Sequence, residues 1–283
     1  MDLGIFTYNT EYMIRIDHLA KAAEERGCES LWVPEHTHIP ASRDSAFPGG
    51  GDLPREYIHM SDPFTSLAAA AAVTDTIKLG TAISLVNQHD PIALAKQVAT
   101  LDRLCDGRFI FGVGAGWNAE EMANHGIPFK KRWKALRERV EAMKAMWTEE
   151  EASYHGEFVN FDRIWSYPKP LQTPHPPILI GTFASELGRQ RVANYGDGWI
   201  PVMAFFDDLP TAVNDLHGRL AEAGRDPQSV GVSVVFINQR PTQARLEKCV
   251  EAGAQRIVLS LKPLPRDAAL EELDGFVELV GRL

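Results

Sequence analysis

Eight short β-prone runs recur along the chain, and each leads into a segment whose apolar residues fall at helical spacing. The runs lie at residues 3–7, 30–33, 78–83, 108–113, 178–181, 198–202, 230–236 and 256–260. A strand, a crossing helix and a second strand build a parallel sheet through a right-handed connection, because only that hand lets the helix pack back on the sheet. Eight such units within 283 residues predict closure into an α/β (β/α)8 TIM barrel, a single domain over 1–283. An open, doubly wound sheet is the alternative that the same alternation allows.

Local signals set the element ends. Gly27 stops the first helix, Asp62-Pro63 and Asp90-Pro91 open the next two, and a long amphipathic helix is expected over residues 131–147. Two stretches break the rhythm. The loop over residues 38–62 is polar and glycine-rich, with Pro40, Pro48, Gly49, Gly50, Gly51 and Pro54, and loops of that length in compact domains usually serve a function. Residues 150–177 form an insertion between barrel strands 4 and 5, β-prone at 153–161 and then rich in proline. Both stretches are expected to wall the upper part of a substrate pocket.

Composition narrows the function classes. Hydrophobic residues at 45% and charged residues at 24% are the proportions of a soluble globular chain, so a packed core is available. The net charge of -9, with no stripe of lysine and arginine, makes nucleic acid an unexpected partner. Cys28, Cys105 and Cys249 are too scattered for a disulfide framework or a zinc site. The start MDLGIFTYNT lacks the pattern of a signal peptide and no run reaches membrane-spanning length, so a cytoplasmic enzyme with a small-molecule substrate is the expectation.

In a barrel of this kind chemistry gathers at the C-terminal ends of the strands. That nominates Phe6, Glu35, His36, His38, Ala82, Ile83, Ser84, residues 114–117, residues 181–185 and residues 197–199. The run GVGAGW, with Gly112, Gly114 and Gly116, follows a strand, but its spacing and the lack of a later acidic strand end make a poor dinucleotide fingerprint. Gly114 and Gly116 instead suggest close backbone approach to a flat ring, with a plain glycine turn as the competing reading. Gly181 and Thr182 end a strand and Ser185 is placed to cap the following helix, whose N-terminus would suit a phosphate. His36 and His38 have the spacing of two metal ligands, yet no Lys, His and Asp follow at later strand ends, which argues against a metal-dependent hydrolase.

Several segments, LWVPEHTHIP, LGTAISLVNQHDPIALAKQVATLDRLCDGRFIFGVGAGWN, YPKPLQTPHPPILIG and ANYGDGWIPV, together and in this order resemble the luciferase-like monooxygenase family. The resemblance spans nearly the whole chain and is nearest to the deazaflavin-dependent oxidoreductases. It implies coenzyme F420 in the barrel mouth, with FMN as the alternative, and a homodimer. It also implies a non-prolyl cis peptide at Ala82-Ile83 and cofactor contacts from Phe6, His36, Ala82, Ile83, Gly114, Ala115, Gly116, Gly181, Thr182 and Ser185.

Glu35-His36 corresponds to the acid-His pair at the end of the second strand, where the relatives more often carry Asp. Both are catalytic candidates, and His36 leads because imidazole exchanges protons near neutrality. Trp117 stands where sugar-phosphate dehydrogenases of the family carry a catalytic Glu, which argues against their chemistry. Glu120 is expected either to hydrogen-bond the cofactor or to cap a helix, and Arg43, Arg55, Lys130 and Lys131 are candidate cations for an acidic coenzyme tail. The expected activity is hydride transfer between F420 and a small organic substrate. The competing readings are an FMN-dependent monooxygenase and a cofactor-binding protein without turnover.

Overall fold

A computed structural model describes residues 1–201 and 208–282. Eight parallel strands close into a barrel in the order β1 (Asp2–Phe6), β2 (Ser30–Val33), β3 (Lys78–Thr81), β4 (Phe109–Val113), β7 (Ile178–Gly181), β8 (Gly198–Ile200), β9 (Gly231–Phe236) and β10 (Arg256–Ser260). Closure is made where β1 pairs with β10 from Asp2↔Arg256 to Phe6↔Ser260, so the open sheet is excluded. The expected end of the sixth barrel strand at Val202 lies outside the described residues.

Helices α1 (Ile16–Glu25), α2 (Pro63–Ala71), α3 (Pro91–Leu104), α4 (Ala119–Asn124), α5 (Arg132–Thr148), α6 (Glu186–Tyr195), α7 (Leu209–Glu222), α8 (Gln243–Glu251) and α9 (Arg266–Val280) alternate with the strands. The start signals act as expected. Asp62 accepts from Thr65 N at 2.7 Å, Asp90 accepts from Ala93 N at 2.9 Å, and the prolines stand where no helical N–H is required. After α1, Gly27 takes φ 75° and Cys28 N returns to Ala23 O at 3.0 Å, closing the helix with a left-handed residue. Among the described residues no helix is long and apolar enough to cross a membrane.

Two cores hold the barrel. One lies between strands and helices and the other fills the barrel interior, with Phe6, Tyr8, Trp32, Ala82, Ile110 and Leu179 among its members. Trp32 occupies the interior because its neighbours have no side chains there. A Cβ on Gly80 would meet its ring at 2.4 Å and one on Gly4 its Nε1 at 2.9 Å. Beside it, Arg256 grips Glu29 in a bidentate pair at 2.5 and 2.6 Å, joined by Lys78 at 2.8 Å. Burial pushes the Glu29 carboxyl up, and Arg256 overrides it, holding the group down at about 2.

The insertion is an antiparallel hairpin, β5 (Ala152–His155) with β6 (Asn160–Ile164), followed by a crossing with cis peptides before Pro168 and Pro174. Buried Asp102 anchors that crossing by accepting from Leu171 N at 2.7 Å and Gln172 N at 2.9 Å.

Candidate active site

The third barrel strand ends at Thr81, two residues earlier than its sequence pattern suggests, and the Ala82-Ile83 peptide that follows is cis. Ala82 N still bonds Val33 O of β2 at 2.8 Å, whereas Ser84 N bonds Gly112 O of β4 at 2.8 Å. The chain thus changes partner across one peptide, and Ile83 is thrown toward the barrel mouth. Its side chain settles against two glycines. A Cβ on Gly114 would lie 1.8 Å from Ile83 Cδ1, and one on Gly181 would lie 2.4 Å from its Cγ2. Ile83 therefore fills the space that a side chain at Gly114 would need. Gly116 has a different reason, a turn at φ 77°.

Glu35 clamps the same bulge from below. It is 3% exposed. One oxygen accepts from Ser84 Oγ and Leu85 N, both at 2.7 Å, and the other meets His89 Nε2 at 2.6 Å. Burial works against a charged His89, but the Glu35 carboxylate more than offsets it and holds that imidazole above its ordinary value. Expected beside His36 as a second catalytic candidate, Glu35 has both oxygens committed to the scaffold.

His36 points elsewhere. Its Nδ1 lies 2.8 and 2.9 Å from the two oxygens of Glu121, which α4 delivers, and the two side chains are 6% and 2% exposed. Around the imidazole stand Tyr57 at 5.5 Å and Trp117 at 5.8 Å between ring centroids, with Phe47 edge-on to both of those rings. Tyr8 joins from the end of β1, 5.6 Å from Tyr57 and 5.2 Å from Phe6. Burial raises the Tyr8 phenol and takes Tyr57 to about 12, so both remain proton donors near neutral pH. Glu121 and this imidazole thus stand against a cluster of aromatic rings from the long loop and the end of β4.

The remaining expected residues divide. Thr182 is buried at the end of β7 and Ser185 caps α6 through Gly188 N at 3.1 Å. Ala115 is buried beside Gly116. Glu120 accepts from Ser45 N at 3.3 Å while Ala119 N donates to Ser45 Oγ at 3.0 Å, so it ties the long loop to α4. His38 is turned to Thr37 and Asn124, separating it from His36, and among the described residues no cluster of three or more possible ligands could hold a metal ion. Arg55 stacks over Tyr12 at 4.9 Å and Arg43 lies near Glu120, both in the long loop. Lys131 instead pairs with Glu157 of the hairpin turn.

Sequence reasoning missed Glu121, Tyr57, Phe47 and Tyr8. Glu121 stands three residues after Asn118, the spacing of a capping box, and Asn118 does accept from Glu121 N at 2.9 Å. The spacing would have assigned its side chain to the helix start, whereas the fold turns it to His36.

A model of the luciferase-like monooxygenase family matches residues 1–279. A Mycobacterium tuberculosis (strain ATCC 25618 / H37Rv) protein, "Uncharacterized protein Rv0953c", is 42% identical over 283 residues, covering 98% of this chain and 96% of its own. The monooxygenase RslO1 from Streptomyces bottropensis superposes with a TM-score of 0.78 at 21% identity, over 100% of this chain and 99% of its own. An F420-dependent secondary alcohol dehydrogenase, solved with an F420-acetone adduct, gives 0.75 at 17% identity, over 99% and 98%. At such identities the two structures share the fold of this chain.

Proposed function

We propose, because this chain belongs to the luciferase-like monooxygenase family, that it is an oxidoreductase moving a hydride between the deazaflavin coenzyme F420 and a small, largely apolar substrate. The observation that carries this reading is His36, held by Glu121 at 2.8 Å within an aromatic chamber. Interconverting a carbinol and a carbonyl moves a hydride at carbon and a proton at oxygen, so the site needs one group that exchanges a proton near neutrality. His36 supplies it. His36 would take the hydroxyl proton as the substrate carbon is oxidised and return it in the opposite direction, with the hydride left to the bound coenzyme.

A planar ring with a polar edge would find partners at the mouth. The Tyr8 hydroxyl is buried near Tyr57 and Asn238 without a well-formed hydrogen bond, and a buried hydroxyl calls for a partner. Ala82 and Ile83 would support the ring from the bulge. The backbone from Gly114 to Gly116 would border it, Phe6 would close its inner side, and Gly181, Thr182 and Ser185 at the start of α6 would receive the phosphate. When bound, the coenzyme supplies C5, the carbon that accepts or gives the hydride. Phe47, Tyr57 and Trp117 exclude water and offer apolar walls to the substrate.

That same water exclusion favours a second reading, a monooxygenase that takes reduced FMN and oxygen. Equilibrium binding of the purified protein to oxidised F420 and to FMN at matched concentrations separates the two. Tight F420 binding with weak FMN binding supports hydride transfer, the reverse supports oxygenation, and tight binding with no substrate-dependent redox change leaves a carrier without turnover.

A further inference from the structure

We infer that Glu121 is a positioning residue that sets which ring nitrogen of His36 exchanges the proton; the catalytic consequence rests on the hydride-transfer reading above, the geometry does not. Glu121 is 2% exposed, and both of its oxygens lie within 2.9 Å of His36 Nδ1. A carboxylate this buried is tolerated only when it is paired and hydrogen-bonded. A carboxylate only accepts, so Nδ1 carries the hydrogen, and the bond at one ring nitrogen decides the tautomer at the other. Nε2, on the side of the ring turned from Glu121, is left as the acceptor of the neutral imidazole. His36 therefore takes a proton through Nε2, and the imidazolium that results is stabilised where it forms.

The fold prepares Glu121 for this work. Asn118 caps the first turn of α4 through Glu121 N at 2.9 Å, and Ser45 fastens the long loop to the same turn through Ala119 N and Glu120. Other ionisable groups surround the couple. Tyr57 faces the ring from the loop. Glu35, next to His36 in the chain, is engaged by Ser84, Leu85 and His89. His125, at the end of α4, feels the charge of Glu121. Glu121 is the carboxylate that holds Nδ1.

The test reads the imidazole directly. Nitrogen NMR of the full chain, with the His36 signals assigned from a His36→Gln variant, is expected to show hydrogen on Nδ1 and a bare Nε2 in the neutral imidazole. Glu121→Gln should lose that preference, leaving the hydrogen shared between the two ring nitrogens, because the carboxylate that accepts from Nδ1 is gone. It should also lower kcat with little change in coenzyme binding, and Glu121→Asp should recover part of both the tautomer preference and kcat. A wild-type His36 with its hydrogen on Nε2, or a tautomer and kcat both unchanged in Glu121→Gln, overturns the inference. Should Glu121→Gln fail to fold, the wild-type spectrum decides alone. The NMR measurement needs no coenzyme, so its failure counts against Glu121, whereas absence of F420-dependent turnover in the wild type counts against the hydride reading.

Discussion

Ile83 Cδ1 stands 1.8 Å from where a Cβ on Gly114 would be, so the residue after the cis bond and a glycine at the end of the next strand share one volume. Gly114→Ala should destabilise the protein by about 1–3 kcal/mol through overpacking. Ile83→Val, which removes Cδ1, should relieve most of that cost when the two changes are combined. Urea unfolding of the two single variants and the double variant measures the coupling, and simple additivity would show that the two side chains do not compete.

His36→Gln removes the ring that exchanges the proton and leaves a neutral amide, able to hydrogen-bond, in its place. Turnover with F420 should fall on the order of 10²–10⁴-fold while the coenzyme dissociation constant changes little. His36→Ala is expected to lose stability as well, because it leaves a carboxylate that is 2% exposed without its partner. Unchanged turnover in His36→Gln rejects the catalytic role.

The Glu35–His89 contact gives the bulge a dependence on pH. The folded-state value of His89 lies above the unfolded 6.5, so its contribution is fully present below 6.5 and is lost as pH rises through the raised folded value. Thermal unfolding should therefore show a decline on the alkaline side that His89→Gln abolishes. The same decline in the variant would assign it to another group.

Glu29 behaves in the opposite sense. Its unfolded value of 4.5 falls to about 2 in the folded chain, so the stability it contributes is present above pH 4.5 and disappears as pH drops from there toward 2. The amount is on the order of 2–3 kcal/mol. Glu29→Gln should be less stable at neutral pH and should flatten the acid limb of unfolding free energy against pH, and an acid limb of unchanged slope would reject the assignment.

Phe47 roofs the chamber from the long loop, edge-on to Tyr57 at 5.1 Å and Trp117 at 5.9 Å. Phe47→Ala should raise KM for an apolar substrate about tenfold, roughly the worth of one buried aromatic contact, with a smaller change in kcat. Steady-state kinetics on a homologous series of alcohols or ketones would show it. A loss confined to kcat would place Phe47 outside substrate binding.

Much of this was legible along the chain. Strand-helix alternation specifies the parallel barrel because each run is apolar on both faces and must be covered on both, as at Leu31 and Trp32, which are both fully buried. Asp62-Pro63 and Asp90-Pro91 marked helix starts that depend only on residues within one turn. Position at strand ends brought His36, Ala82, Ile83 and Gly114 into one region, since register in a closed ring is shared by all strands.

Periodicity and near neighbours along the chain specify the barrel, its insertion and the rim on which the candidate residues sit. Which side chains face one another across that rim is settled by the closing of the ring. Glu35 and His36 are adjacent in sequence, yet successive residues leaving a strand point to opposite sides. One is thereby turned down to Ser84 and His89, and the other across to Glu121, 85 positions away. Gly114 is short of a side chain for the sake of Ile83, 31 residues earlier, and no local pattern records that debt because the contact exists only once the ring has closed.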